Sequence, residues 1–401
     1  MTNTRAVSWT AALWFVGALG ISLGWIGIRL IEVPVALPWT AVLPGIAICG
    51  AAFLLCWAAE LAELELSQAL ALAGVALMTV LPEYAVDLYF AWKAGQDPVY
   101  TAYAAANMTG ANRLLIGLGW PVLFAAFWWT TRTAPLEVGR EQTPELATLL
   151  VATCYSFIIP CKRTFSWLDT GVLLMIFGAY LLQAARAKHV TPELTGPARS
   201  LAQLPRGLRR GVTVLLFIVA GAAILLAAEP FAEGLLETGR QFHIEEFILV
   251  QWLAPLASEF PEFLVALLFV FRRRAGEGLG TLISAKVNQW TLLVGMLPIA
   301  FSLGSHGFRA MPLDARQVEE MVLTSTQSLF AVCLLADFRF SSKDAWWLAL
   351  PFLFQLSLPW PSVRWFCSGF YIVAFLVLCA RAPRRRALAD LFKHFVRPST
   401  H

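Results

Sequence analysis

"TVLPEYAVDLYF", Thr79 to Phe90, sets a proline and two carboxylates, Glu83 and Asp87, inside an apolar run long enough to cross a bilayer. An ionisable side chain at the centre of a membrane helix is unfavourable by about 2.5–3.5 kcal/mol on insertion scales, so residues of this kind usually mark an ion or substrate path. A second stretch, "SEFPEFLVALLF", Ser258 to Phe269, repeats the pattern. Pro82-Glu83 and Pro261-Glu262 lie 179 positions apart, and Asn112 and Asn288 lie 176 apart. "TFSWLD" ending at Asp169 and "RFSSKD" ending at Asp344 are offset by 175, and "GAAFLLCWAAELAE" from Gly50 and "GAAILLAAEPFAE" from Gly221 by 171. Matched landmarks at a near-constant offset divide the chain into two homologous halves.

The rest of the composition agrees with a membrane protein. Of 401 residues, 58% are hydrophobic and 14% charged, against about 45–50% and 25% in a soluble domain; the mean hydropathy is +0.67. Apolar windows give about twelve transmembrane spans, near 8–32, 39–60, 66–92, 99–130, 145–161, 167–186, 212–236, 244–271, 279–304, 319–336, 344–359 and 363–381. The first is too long for a cleaved signal segment and is expected to stay as a helix. The sequence therefore predicts an all-α polytopic membrane protein: an extra helix in 1–38, a first repeat in 39–187, a basic cytoplasmic linker in 188–211, a second repeat in 212–360, and an extra helix with a basic tail in 361–401. Each repeat holds about five spans, an odd number, so the second enters the membrane inverted. Inverted repeats with broken helices meeting at the midplane are the architecture of secondary transporters.

Basic clusters fix the expected orientation. Arg186, Lys188, Arg199, Arg206, Arg209 and Arg210 in the linker, Arg272 to Arg274, and Arg384 to Arg386 in the tail all fall on one side of a twelve-span map. The positive-inside rule makes that side cytoplasmic, with both termini there, in a bacterial-type inner membrane; Lys162 and Arg163 fall on the other side. The seven cysteines include no C-x-x-C pair, no histidine lies mid-span, and no Walker, Rossmann or H-E-x-x-H motif occurs. Nothing here points to an enzyme, a resident cofactor, nucleic acid or a particular oligomeric state. The expected partners are the lipid bilayer and inorganic cations.

Pro82 and Pro261 each lack an N–H and open the helical ladder beside a glutamate, which frees carbonyl oxygens that lipid does not tolerate unless protein or a wet cavity covers them. Glu83 and Glu262, with Thr79 and Ser258 one turn before them, form an oxygen set that suits Ca²⁺. Asp87 and Glu259 share faces with these acids and are candidate ligands or proton relays. Asn112 and Asn288 are candidate ligands or helix-bridging amides.

At these residues the chain resembles the cation/Ca²⁺ exchanger superfamily. The G-T-S-L-P-E motif of that family appears as Met78-Thr79-Val80-Leu81-Pro82-Glu83 and as Ala257-Ser258-Glu259-Phe260-Pro261-Glu262. Its G-N-x-x-G-S-N motif appears as Ala106-Asn107-Met108-Thr109-Gly110-Ala111-Asn112, with a weaker echo from Leu282 to Asn288. The resemblance implies a secondary antiporter that exchanges Ca²⁺ or another cation for Na⁺ or H⁺ by alternating access, with Glu83 and Glu262 as paired ion ligands. Family positions that complete Na⁺ sites are Ala111, Leu115, Val287 and Thr291 here, and Lys286 stands at a motif glycine. The alternative is a transporter of the same fold, for another solute or coupled to protons alone, in which Arg113 and Lys286 replace bound cations. On this reading Arg113 draws its counter-charge from Glu83, Asp87, Glu259 or Glu262, and Lys286 either joins it or extends to the interface.

Overall fold

The computed structural model describes residues 9–64, 81–185, 194 and 196–397. In chain order the helices begin with α1 (Trp9–Leu30), α2 (Trp39–Glu63) and α3 (Leu81–Gln96). They continue with α4 (Tyr100–Leu114), which passes through a π-helical segment (Leu115–Gly119) into α5 (Trp120–Thr131). Strand β1 (Leu136–Glu137), α6 (Thr143–Ser156), α7 (Ile158–Lys162), β2 (Thr164–Phe165) and α8 (Trp167–Ala184) complete the first half. A short α9 (Gly196–Leu201) precedes α10 (Arg206–Phe242) and α11 (Glu246–Phe271). Then α12 (Ala275–Asn288) passes through a second π segment (Gln289–Leu293) into α13 (Val294–Gly304), followed by β3 (Met311–Pro312), α14 (Ala315–Leu335), β4 (Arg339–Phe340) and α15 (Ser342–Ser357). The chain ends with α16 (Pro361–Cys379) and α17 (Ala382–Val396).

Among the described residues, ten helical runs are long and apolar enough to cross a bilayer. Of the other two expected spans, 344–359 falls on the 16-residue α15, and 66–92 is described only from Leu81 onward, in α3, its residues 66–80 lying outside the described residues. Within the basic linker a short helix, α9, forms with Pro197 and Ala198 buried. Pro261 does not end its helix: α11 remains helical across it, so the interruption there is one missing donor and not a gap.

The chain forms two compact units and passes between them inside α3, after Val86, and inside α11. The first unit is built on α1, α2, α9 and α10. Here α2 and α10, which carry the Gly50 and Gly221 landmarks, pack on each other, with Gly234 against the backbone of Thr40 and Ala41 and Gly45 against the Phe231 ring. Small side chains let membrane helices approach closely where no hydrophobic driving force exists between them.

The second unit shows the repeat as geometry. Tyr100 and Ala275, Leu136 and Met311, Thr164 and Arg339, and Trp167 and Ser342 begin equivalent elements, each pair 175 positions apart. Strands pair across the repeats, β1 with β4 and β2 with β3, both antiparallel. Helix exchange follows the same symmetry: α8 packs on the second π segment and α13, while α15 packs on the first π segment and α5.

The shared Phe-Ser-x-x-Asp landmark now has a cause. Phe165 and Phe340 are fully buried in β2 and β4. Ser166 and Ser341 are N-caps whose side chains form capping boxes with Asp169 and Asp344, starting α8 and α15. Lys162 forms an ion pair with buried Asp169.

Candidate cation site

In the first unit, Glu83 sits in the first turn of α3 and is buried, as are Ser258 and Glu259 on α11. Thr79 lies outside the described residues. In the second unit Asp87 is fully buried one turn further along α3, and its Oδ1 accepts a hydrogen bond from Asn107 Nδ2 at 2.9 Å. Two buried acceptors, Asp87 Oδ2 and Asn107 Oδ1, have no hydrogen-bond partner among the described residues. Glu262 is half-buried on α11 and Asn288 is buried at the end of α12.

Asn112 does bridge helices. Its amide donates to Met108 O at 2.8 Å on its own helix, and its Oδ1 accepts from Lys286 Nζ on α12 at 2.5 Å. Lys286 is completely buried and lies 4.3 Å above the Trp290 ring. The interfacial placement weighed for Lys286 is therefore wrong: its ammonium is held inside the unit by an amide oxygen and an aromatic face.

Arg113 is the largest correction. Its guanidinium forms an ion pair with Glu320 of α14, both side chains being almost wholly buried. It also donates to Gln355 Oε1 of α15 at 2.8 Å and to Thr109 O at 3.3 Å, and lies 5.2 Å from the Trp252 ring of α11. Arg364 of α16 stands 3.7 Å from the other oxygen of Glu320 and pairs with Glu319 at 2.8 Å. The counter-charge of Arg113 thus comes from an acid outside the expected set. Glu319 and Glu320 open the apolar part of α14, where they read as span-end residues; the hydroxyl-rich run that follows, Thr324 to Ser328, is the one sequence sign that this helix faces protein. Gln355 and Arg364 were also missed, and Asn107, although it stands in the motif, was given no role.

Gly110 explains how α4 reaches α11: any side chain there would collide with the backbone carbonyl of Gln251. We expect Gly110→Ala to lose about 1–3 kcal/mol of stability through overpacking against backbone that has little room to shift. A thermal unfolding curve in detergent checks this, and an unchanged midpoint would show that the contact is not tight. Each π segment begins within three residues of the candidate asparagine of its repeat, and π bulges are frequent at functional sites.

The family described as sodium/calcium exchanger protein matches residues 36–185 and 212–360. This chain belongs to the sodium/calcium exchanger family. It is accordingly a transporter and not an enzyme. A crystal structure of an H⁺/Ca²⁺ exchanger, CAX, is 40% identical, covers 97% of this chain and 98% of its own, and superposes with a TM-score of 0.93. The sodium–calcium exchanger NCX_Mj, at 17% identity with 85% and 99% covered and a TM-score of 0.51, shares the fold. So does YfkE, at 14% identity with 90% and 99% covered and a TM-score of 0.60. Among curated proteins no sequence matches the chain. In this exchanger α1, α16 and α17 lie outside the matched family residues, so Arg364 enters the buried ion network from a helix beyond them.

Proposed function

We propose that this exchanger moves Ca²⁺ in one direction and protons in the other, by alternating access at Glu83 and Glu262. The observation that carries the reading is the 40% identity to an H⁺/Ca²⁺ exchanger over nearly the whole of both chains. The residues support it independently. Both glutamates follow a proline at matched repeat positions, and carboxylates are ligands that can take either a hard divalent cation or protons. Ala111, Leu115 and Val287 supply no side-chain oxygen where Na⁺ sites are completed in the family, and the Thr291 hydroxyl is bonded to Val287 O of its own helix at 2.6 Å.

Ser258, Glu259 and Asn288 serve as further oxygen donors in this reading, together with Thr79, and Asn112 positions Lys286. Both termini are cytoplasmic and the membrane is a bacterial-type inner membrane. A second reading keeps Lys286 as a fixed cation in place of a bound ion, favoured by its 2.5 Å contact with Asn112 Oδ1.

Equilibrium Ca²⁺ binding to the detergent-solubilised protein tests the reading. One Ca²⁺ per chain, displaced as the pH falls, is expected; displacement by Na⁺ with no effect of pH would contradict it. Asp87→Asn keeps the Asn107 hydrogen bond but removes a protonatable oxygen. We expect it to retain Ca²⁺ binding while transport becomes less dependent on pH, as measured by initial flux at a series of pH values. A pH profile identical to that of the wild type would remove Asp87 from the proton path.

A further inference from the structure

Helix α17 begins at Ala382, close behind the last residue of α16, Cys379, so it starts where that span leaves the bilayer. Its first turn also touches the end of a second span. Arg384 donates to the carbonyls of Cys333 and Leu334 at 3.2 and 2.7 Å and pairs with Asp337 at 2.7 Å. A cation on the last carbonyls of α14 matches both their unsatisfied acceptors and the negative end of the helix dipole.

The helix has three distinct faces. Arg384, Leu388, Leu391 and Phe395 recur at helical spacing, Leu391 is buried, and α17 packs on α6. A second face exposes Phe392 (52%) and Val396 (59%). A third carries Arg386, Asp390, Lys393 and Arg397, all exposed, with Lys393 paired to Asp390 at 3.3 Å; Arg385, also exposed, stands two and three turns before Phe392 and Val396 on their face. An apolar strip beside a basic strip, on a helix fixed at the level where spans end, is the pattern of an interfacial helix that places rings among acyl chains and cations among headgroups.

We propose that α17 is a binding surface for anionic phospholipid, with Phe392 and Val396 entering the bilayer and Arg385, Arg386 and Lys393 taking the phosphate-bearing headgroups. Its inner face lies on α6 and caps α14, the equivalent helices of the two repeats, which also meet through the Ser156 and Ser325 hydroxyls at 2.8 Å. Lipid held on α17 therefore bears on both repeats at once. The proposal does not depend on which ion is carried.

The test is native mass spectrometry of the full-length protein in mild detergent, titrated with phosphatidylglycerol or with phosphatidylcholine. Wild type is expected to take phosphatidylglycerol in clear preference. Arg385→Gln, Arg386→Gln and Lys393→Gln together should weaken that binding about a hundredfold, at about fivefold for each basic residue near the surface. Phe392→Ser should weaken both lipids alike. These side chains are exposed, and the single variant Arg386→Gln serves if the triple variant fails to fold. An undiminished phosphatidylglycerol preference in the variants would overturn the proposal. So would displacement of the lipid by millimolar inorganic phosphate, which would make the surface a site for free anions.

Discussion

Glu83→Gln and Glu262→Gln should each abolish Ca²⁺ exchange while leaving the protein folded. Each change keeps the side-chain volume and removes one negative charge from the proposed site. Two unit charges 4 Å apart interact by about 4 kcal/mol at an effective dielectric constant of 20, or about three orders of magnitude in affinity. The loss for a divalent ion is at least of that order. Flux in proteoliposomes, with a thermal unfolding curve as the folding control, reads the effect. Wild-type flux in either variant would mean that the paired glutamates are not the transport site.

The second large effect is on stability. Removing one member of a buried ion pair leaves its partner charged and unmatched, which destabilises by about 3–5 kcal/mol; replacing a whole buried network with apolar residues is often neutral or stabilising. Glu320→Gln strips Arg113 of its ion-pair partner, and Arg364→Met leaves Glu319 without its closest cation. Both should lower the unfolding midpoint sharply. The fourfold variant Arg113→Met, Glu319→Leu, Glu320→Leu, Arg364→Met should recover most of it. A Glu320→Gln variant as stable as wild type would show that Arg113 has another counter-charge, and would return it to the transport-site acids.

The repeat was legible in the sequence because its landmarks have local causes. Phe-Ser-x-x-Asp is an N-cap preceded by a buried strand residue, and such signals survive when the surrounding apolar residues drift. The spans were legible because a bilayer demands length and hydropathy. The partner of Arg113 was not, since Glu320 lies more than 200 positions away and stands at the edge of its apolar window, where an acid ordinarily meets water. Hydropathy places residues by depth and is silent about which side of a helix faces protein. For Lys286 two placements stayed open for the same reason: its position early in a span is compatible with the interface, and only the packing of α12 against α5 and the first π segment brings the ammonium beside Asn112. The π segments left no trace in the sequence, because they depend on tertiary packing of α8 and α15 against them.

The most direct test of the account is proton movement driven by Ca²⁺. Wild-type protein is reconstituted into vesicles containing a pH-sensitive dye, in Na⁺-free buffer, and a Ca²⁺ gradient is imposed across the membrane. The account predicts that protons move opposite to Ca²⁺, that Glu262→Gln vesicles show no signal, and that added Na⁺ leaves the rate unchanged. A silent dye in Na⁺-free buffer, with Ca²⁺ flux restored by Na⁺ along a steep cooperative curve, would contradict it.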